Sequence, residues 1–224
     1  MLEEKLKDIL SGKTQSVSSA KQTVDGILND KVLLDAPHHS SFFYELRPII
    51  KVARHVAAEK FCFSGHRSDC SYDGEIYLNG KKIRVECTRS DAGHHEALER
   101  EHRQKFGRAP ALQKVEASGS KHKREIQEQQ SEFIDRSEIF KRVEQELTDA
   151  FQKKMKDKYQ GYWLIITFSD IINPKKEYDT SCILFWEKTK HCNSTFDRVF
   201  IIGNSMEYLW DSKQNNQDSD RTDC

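Results

Sequence analysis

Between Ser71 and Ser90 the chain reads SYDGEIYLNGKKIRVECTRS, and this stretch constrains the fold more than any other. Asn79-Gly80 is a strong two-residue turn signal, because both residues tolerate the positive φ that a tight hairpin needs. Ile76 and Leu78 alternate with polar neighbours before the turn, and Ile83, Val85 and Cys87 alternate after it. Two antiparallel strands joined near 79–81 are expected. The period of two also sorts side chains by face. If Ile83, Val85 and Cys87 enter a core, then Lys82, Arg84, Glu86 and Thr88 share the opposite face.

The rest of the chain supplies the layers such a hairpin would join. Phe42, Leu46, Ile49, Ile50, Val52, Ala53, Val56 and Ala57 form a broad apolar stripe at helical spacing, with Pro48 either starting that helix or bending it. A long helix is expected over about 124–159, carried by Ile139, Phe140, Val143, Leu147, Phe151 and Met155. YWLIITF, from Tyr162 to Phe168, is the best candidate for a central strand, and RVFII, from Arg198 to Ile202, for a second buried one. Residues 178–190 suit a helix, although Cys182 to Trp186 would also suit a strand. Ser205 to Trp210 reads as an edge strand. Helix, hairpin, long helix and strands in that order predict an α/β domain: a mixed sheet with helices on both faces.

Three regions are expected. Residues 1–40 read as a loosely packed N-terminal helical extension, with helix over 2–12, a Ser/Thr/Gln-rich loop from Ser11 to Ala20 and a helical turn or two in 21–30. Residues 41–210 form the main domain. Residues 211–224, a polar tail with four Asp, read as frayed. Within the main domain, 92–124 is a basic insertion with eight Lys/Arg against four Asp/Glu. Its 92–106 part suits a helix, and 107–110 and 117–120 read as loops.

Asp73 lies at or just before the first hairpin strand, where its carboxylate can converge on Glu86 across the hairpin. Carboxylates held together repel, a cost that a divalent cation removes, and they are hard oxygen ligands suited to Mg²⁺. A metal there polarises a phosphodiester oxygen and lowers the pKa of a bound water. Acids at strand ends are also ordinary solubility devices, and both readings stand at this point. Glu45, one turn before Ile49, is a further candidate metal ligand. Glu125 and Gln129, four residues apart, are others.

The stretch from Asp73-Gly74-Glu75 through Arg84-Val85-Glu86-Cys87-Thr88 resembles the active-site hairpin of the PD-(D/E)xK nuclease superfamily, which has the restriction-endonuclease-like fold. The likeness covers about 41–210 as architecture and 73–88 as motif. It implies Asp73 as the first motif acid and Glu86 as the second, holding Mg²⁺ or Mn²⁺ in an endonuclease that hydrolyses DNA. A homodimer is one way to cut both strands. Two positions depart from the pattern: Tyr72 stands where the motif proline would be, and Thr88 where the lysine would be. A threonine hydrogen-bonds but carries no positive charge. Lys82 and Arg84, on Glu86's face, are the candidates to supply it. The missing lysine also motivates an alternative, a catalytically weak or inactive nuclease-fold module that binds nucleic acid or serves as a scaffold. A third reading is an interaction protein that dimerises through the long helix.

Lys+Arg and Asp+Glu both number 36, so a nucleic-acid partner requires a local basic surface. Arg100, Arg103, Lys105, Arg108, Lys114, Lys121, Lys123 and Arg124, just after Glu86, are placed to grip phosphates. Lys123 and Arg124 are alternatively a charge source for the hairpin. His95, Glu99 and His102 fall on one face of a helix, but no apolar stripe anchors it, so a solvated or nucleic-acid-facing segment reads better than a zinc site. The chain has no P-loop, G-x-G-x-x-G or G-x-S-x-G motif. Six cysteines without a C-x-x-C unit, an N-terminus lacking the apolar core of a signal peptide and no apolar run of membrane-spanning length lead to an expectation of reduced thiols and a cytoplasmic, non-membrane protein.

Overall fold

The computed structural model describes residues 2–28, 42–64, 70–90, 105, 117–118, 125–126, 136–168, 175–193 and 195–214. They form a mixed α/β fold. The elements are α1 (Leu2–Leu10), β1 (Gln15–Ser16), α2 (Val17–Leu28), α3 (Arg47–His55), β2 (Lys60–Phe63), β3 (Gly74–Leu78), β4 (Lys81–Arg89), β5 (Ala117–Ser118), β6 (Glu125–Ile126), α4 (Arg136–Lys154), β7 (Tyr162–Phe168), α5 (Lys175–Thr189), β8 (Phe196–Gly203) and β9 (Leu209–Asp211). A seven-stranded sheet runs in the order β1-β2-β3-β4-β7-β8-β9. The β4–β7 and β7–β8 pairs are parallel, and the other pairs in the sheet are antiparallel.

The hairpin forms as its turn chemistry dictates. Asn79 and Gly80 have φ of 50° and 71°, and Leu78 pairs with Lys81 to close the loop. Pro48 sits in the first turn of α3, which begins directly after helical Leu46 (φ −63°, ψ −50°), so its missing N–H falls at the junction with the turn before it. A single π-helical turn, Phe42–Leu46, precedes it. All seven residues of β7 are buried, as expected of a strand with parallel neighbours on both sides and helices on both faces.

Two cores lie on opposite faces of the sheet. Ile76, Val85, Cys87, Trp163, Ile165, Phe200 and Ile202 pack with α1, α2 and α3. Leu164, Ile166, Phe168, Val199 and Ile201 pack with Leu147 and Phe151 of α4 and Cys182, Phe185 and Trp186 of α5. Gly74 is a point of close approach between the hairpin, β2 and the covering helix. A Cβ there would lie 2.8 Å from both the Cys62 carbonyl oxygen and Ile49 Cδ1, so only glycine seats β3 against β2 and α3.

Several local expectations change. Ser11 to Ala20 is not one loop. Gln15–Ser16 adds an edge strand and α2 begins at Val17, with Ile9, Val17, Ala20 and Val24 buried in the first core. The N-terminal segment is thus part of the main packing unit. The long helix begins at Arg136 within the described residues, while Glu125–Ile126 pairs with Ala117–Ser118 as a short ladder. The 178–190 region is helix, because Tyr178, Cys182 and Phe185 repeat at helical spacing into the second core. Asp211 and Ser212 are not frayed: both are buried, with Asp211 ending β9. Among the described residues, no helix is long and apolar enough to cross a membrane, and Cys87, Cys182 and Cys192 are free thiols.

Candidate active site

Register places the two acids together. Gly74 pairs with Val85, and the Asp73 N–H donates to the Val85 carbonyl at 3.0 Å, so the next step along the ladder sets Asp73 against Glu86 on one face. That face is the one covered by α4. Asp73 Oδ2 accepts the backbone N–H of Cys87 at 2.7 Å, which fixes the carboxylate against β4. Glu86, 5% exposed, is flanked on its own face by Leu164 of β7. Burial and the neighbouring Glu86 push the Asp73 carboxyl up to about 6, against the opposing pull of the Cys87 N–H and two lysines.

The cation in the site comes from α4. Lys154, the last residue of that helix, donates from Nζ to Glu86 Oε1 at 2.5 Å. Burial disfavours its charge, but the Glu86 carboxylate outweighs this, and Lys154 stays above its ordinary value. Lys158, in the short 3₁₀ turn Asp157–Tyr159 that follows, also feels the Glu86 charge. The face thus carries two close carboxylates, one bound lysine and a second lysine nearby.

Lys82 and Arg84 share this face as strand parity requires, but they are engaged elsewhere. Lys82 Nζ lies 3.0 Å from Glu75 Oε1, and Glu75 also accepts the hydroxyls of Tyr72 at 2.7 Å and Tyr77 at 2.9 Å. Although burial raises the Glu75 carboxyl, these donors hold it below the usual range. Arg84 donates to the Tyr162 hydroxyl at 3.2 Å and lies over the rings of Tyr72 and Tyr162. The lysine on Glu86 is therefore Lys154, which sequence reading missed. Its signal was present but weak, a lysine closing a helix just before the central strand.

Glu45 is half-buried in the π-helical turn, where its backbone carbonyl accepts the Cys87 thiol at 3.9 Å. Burial, then the charges of Asp73, Glu45 and Glu86, raise that thiol well above its ordinary value, so Cys87 is a core residue and no nucleophile. Thr88 is half-buried, and its carbonyl accepts from Thr167 Oγ1 at 3.4 Å. Among the described residues, no group of three or more His, Cys, Asp and Glu side chains is arranged to hold a metal.

Of the basic candidates, only Lys105 is described, as an exposed residue. Arg100, Arg103, Arg108, Lys114, Lys121, Lys123 and Arg124 lie outside the described residues, as do His95, Glu99, His102 and Gln129. Glu125 is in β6 rather than on a crossover helix.

No protein-family profile, characterised protein or solved structure matches the chain.

Proposed function

We propose that the chain is a metal-dependent nuclease of PD-(D/E)xK type that hydrolyses DNA phosphodiester bonds at Asp73, Glu86 and Lys154. The observation that carries this reading is the 2.5 Å contact from Lys154 to Glu86, next to a second carboxylate, on the strand pair where the motif resemblance lies. The strand position held by Thr88 lacks a cation, and α4 delivers one to the same carboxylate from outside the hairpin. The order of helix α3, hairpin, helix α4 and parallel strand β7 also fits the restriction-endonuclease-like arrangement.

The donor set suits Mg²⁺ or Mn²⁺. Asp73 and Glu86 are hard oxygen ligands forced together in a partly dry site, and Mg²⁺ is commonly held by one or two carboxylates, with water and substrate phosphate filling the other positions. Burial first, and then the Glu86 charge, raises the Asp73 carboxyl, and a cation would relieve the second of these. When bound, the ion would polarise a phosphodiester oxygen and offset its charge. Lys154 would turn its ammonium towards the phosphoryl group, hold the attacking water and oppose the charge that builds on the phosphoryl oxygens. The Cys87 N–H keeps Asp73 in place while this occurs. Cutting both strands would take two such sites, as a homodimer provides.

A second reading rests on the same contact. Lys154 already compensates Glu86, so the pair is neutral without metal, as in a nuclease-fold module that binds nucleic acid without cutting it. Incubation with supercoiled, linear and single-stranded DNA and with RNA, in Mg²⁺ or Mn²⁺, separates the two. Cleavage lost in Asp73→Ala, Glu86→Ala and Lys154→Met supports the nuclease. Salt-sensitive binding with no cleavage under any metal supports the module, and cleavage that survives all three substitutions removes the site from consideration.

A further inference from the structure

Beside the carboxylates, four tyrosines and two cations without a salt bridge among the described residues form a continuous cluster. Arg84 Cζ lies 5.3 Å from the Tyr72 ring centroid and 5.6 Å from that of Tyr162. Tyr162 adjoins Tyr159 at 5.7 Å between centroids, and Lys158 Nζ stands 4.5 Å over the Tyr159 ring. Lys154 reaches the same Tyr159 ring at 5.8 Å while holding Glu86. Tyr77 closes the far end by its bond to Glu75. Arg84, Lys158 and Lys154 are thus joined through Tyr162 and Tyr159, and Lys154 ends the chain of contacts at Glu86.

Arg84 and Lys158 differ from the paired cations around them. Lys82, Lys154, Lys188, Lys190, Arg142 and Arg198 each have a carboxylate within salt-bridge distance. Among the described residues, neither Arg84 nor Lys158 has a carboxylate within salt-bridge distance: Arg84 is held by the neutral Tyr162 hydroxyl and tyrosine rings, and Lys158 by Tyr159, with Glu75 and Glu86 acting on them only from farther away. Both side chains are exposed. An aromatic face holds a cation in place without neutralising it, so the charge stays available to an incoming anion. The Tyr159 and Tyr162 rings are not a stacking platform: each residue is only 5% exposed. Tyr72 and Tyr77 are half-buried, so the exposed side chains that the cluster presents are those of Arg84 and Lys158. Such contacts position a phosphate backbone and carry no sequence information.

We infer that Arg84 and Lys158 are a backbone-positioning site, binding nucleic-acid phosphates next to the one at Asp73 and Glu86, without regard to base sequence. This rests on the nuclease reading for its place in a reaction, but the binding itself does not need cleavage. Arg84 and Lys158 touch no reacting atom in this scheme and act by holding the strand.

The test is fluorescence anisotropy of the full chain with a labelled 20-base-pair DNA duplex of random sequence, in EDTA, from 50 to 300 mM salt. Arg84→Gln and Lys158→Gln should each weaken binding about 3–10-fold and lower the slope of log affinity against log salt by about one, the loss of one phosphate contact. Arg84→Lys should restore most of the slope, which separates charge from stacking. Lys188→Gln, across α5 on Glu144, should bind like the unaltered chain. Circular dichroism melts of each variant confirm folding. Unchanged affinity and slope in both glutamine variants, or no salt-dependent binding by the unaltered chain, overturn the inference. Cleavage is read separately with Mg²⁺. Normal salt slopes with no cleavage fail the nuclease reading alone, and Asp73-dependent cleavage with unaltered slopes in both glutamine variants fails this inference alone.

Discussion

Replacing Asp73 with Asn tests the site without relying on activity. Asp73 is half-buried beside Glu86, and its carboxyl rises from an ordinary value near 3.8 to about 6. In the unfolded chain it ionises near the ordinary value, so between about pH 4 and 6 the folded state holds a proton that the unfolded state has released. Stability must then fall as pH rises through this window, and above it the whole loss is felt. At about 1.4 kcal/mol per pH unit the rise corresponds to about 3 kcal/mol, and solvent at the partly exposed rim reduces the expected effect to about 1–2 kcal/mol. Asn keeps the shape, and its Oδ1 still accepts the Cys87 N–H, but it carries no charge. Asp73→Asn should therefore match the unaltered chain near pH 4 and exceed it by about 1–2 kcal/mol at pH 7.5. The assay is urea unfolding followed by tryptophan fluorescence at pH 4, 5, 6 and 7.5, with EDTA throughout. Repeating it with Mg²⁺ should stabilise the unaltered chain selectively, since the variant has lost a ligand. A variant less stable than the parent at pH 7.5, or an advantage that does not change with pH, would refute the account of Asp73 as a carboxyl raised by burial and by Glu86.

Three further outcomes follow from named contacts. Lys154→Met should cost about 2–4 kcal/mol at pH 7, because it leaves Glu86 buried and unpaired beside Asp73; adding Glu86→Gln should recover most of that loss in the same urea assay. Gly74→Ala should cost about 1–3 kcal/mol and lower the thermal midpoint, since its methyl would meet the Cys62 carbonyl and Ile49; an unchanged midpoint would remove the close approach as a constraint. Asp211 is buried and would titrate high on that ground alone, but Arg198, the Lys213 N–H and His55 hold its carboxyl below the usual range. Its contribution is present above about pH 4 and is lost as pH falls through its lowered value. Asp211→Asn should therefore destabilise by about 2–4 kcal/mol at pH 7 and by much less in strong acid, as denaturation at both pH values would measure.

The local elements whose periodicity is strong and whose partners are near are legible along the chain. Asn79-Gly80 dictated the hairpin, alternation put Glu86 and Arg84 on one face, and the apolar run of YWLIITF required a strand buried on both sides. These depend on turn chemistry and on spacing along a few residues, so the chain carries them in plain view. Asp73 and Glu86 also met through the ladder alone, since register across a two-residue turn leaves no freedom.

Only the tertiary structure decided what surrounds that pair. The lysine on Glu86 is 68 residues away along the chain, and only its place at the end of a helix before the central strand marks Lys154 among the lysines around it. Its role appears when α4 packs on the sheet and its last turn ends over β4. The same holds for Asp211, which reads as part of a polar tail but is buried because Arg198 and His55 from other elements converge on it. Arg84, named for the catalytic centre by its place on β4, is drawn aside by tyrosines from the segment before β3 and from β7. Charge pairing and cation–ring contacts act through space over a few ångströms. A one-dimensional pattern therefore shows which groups are available, and packing selects which of them meet.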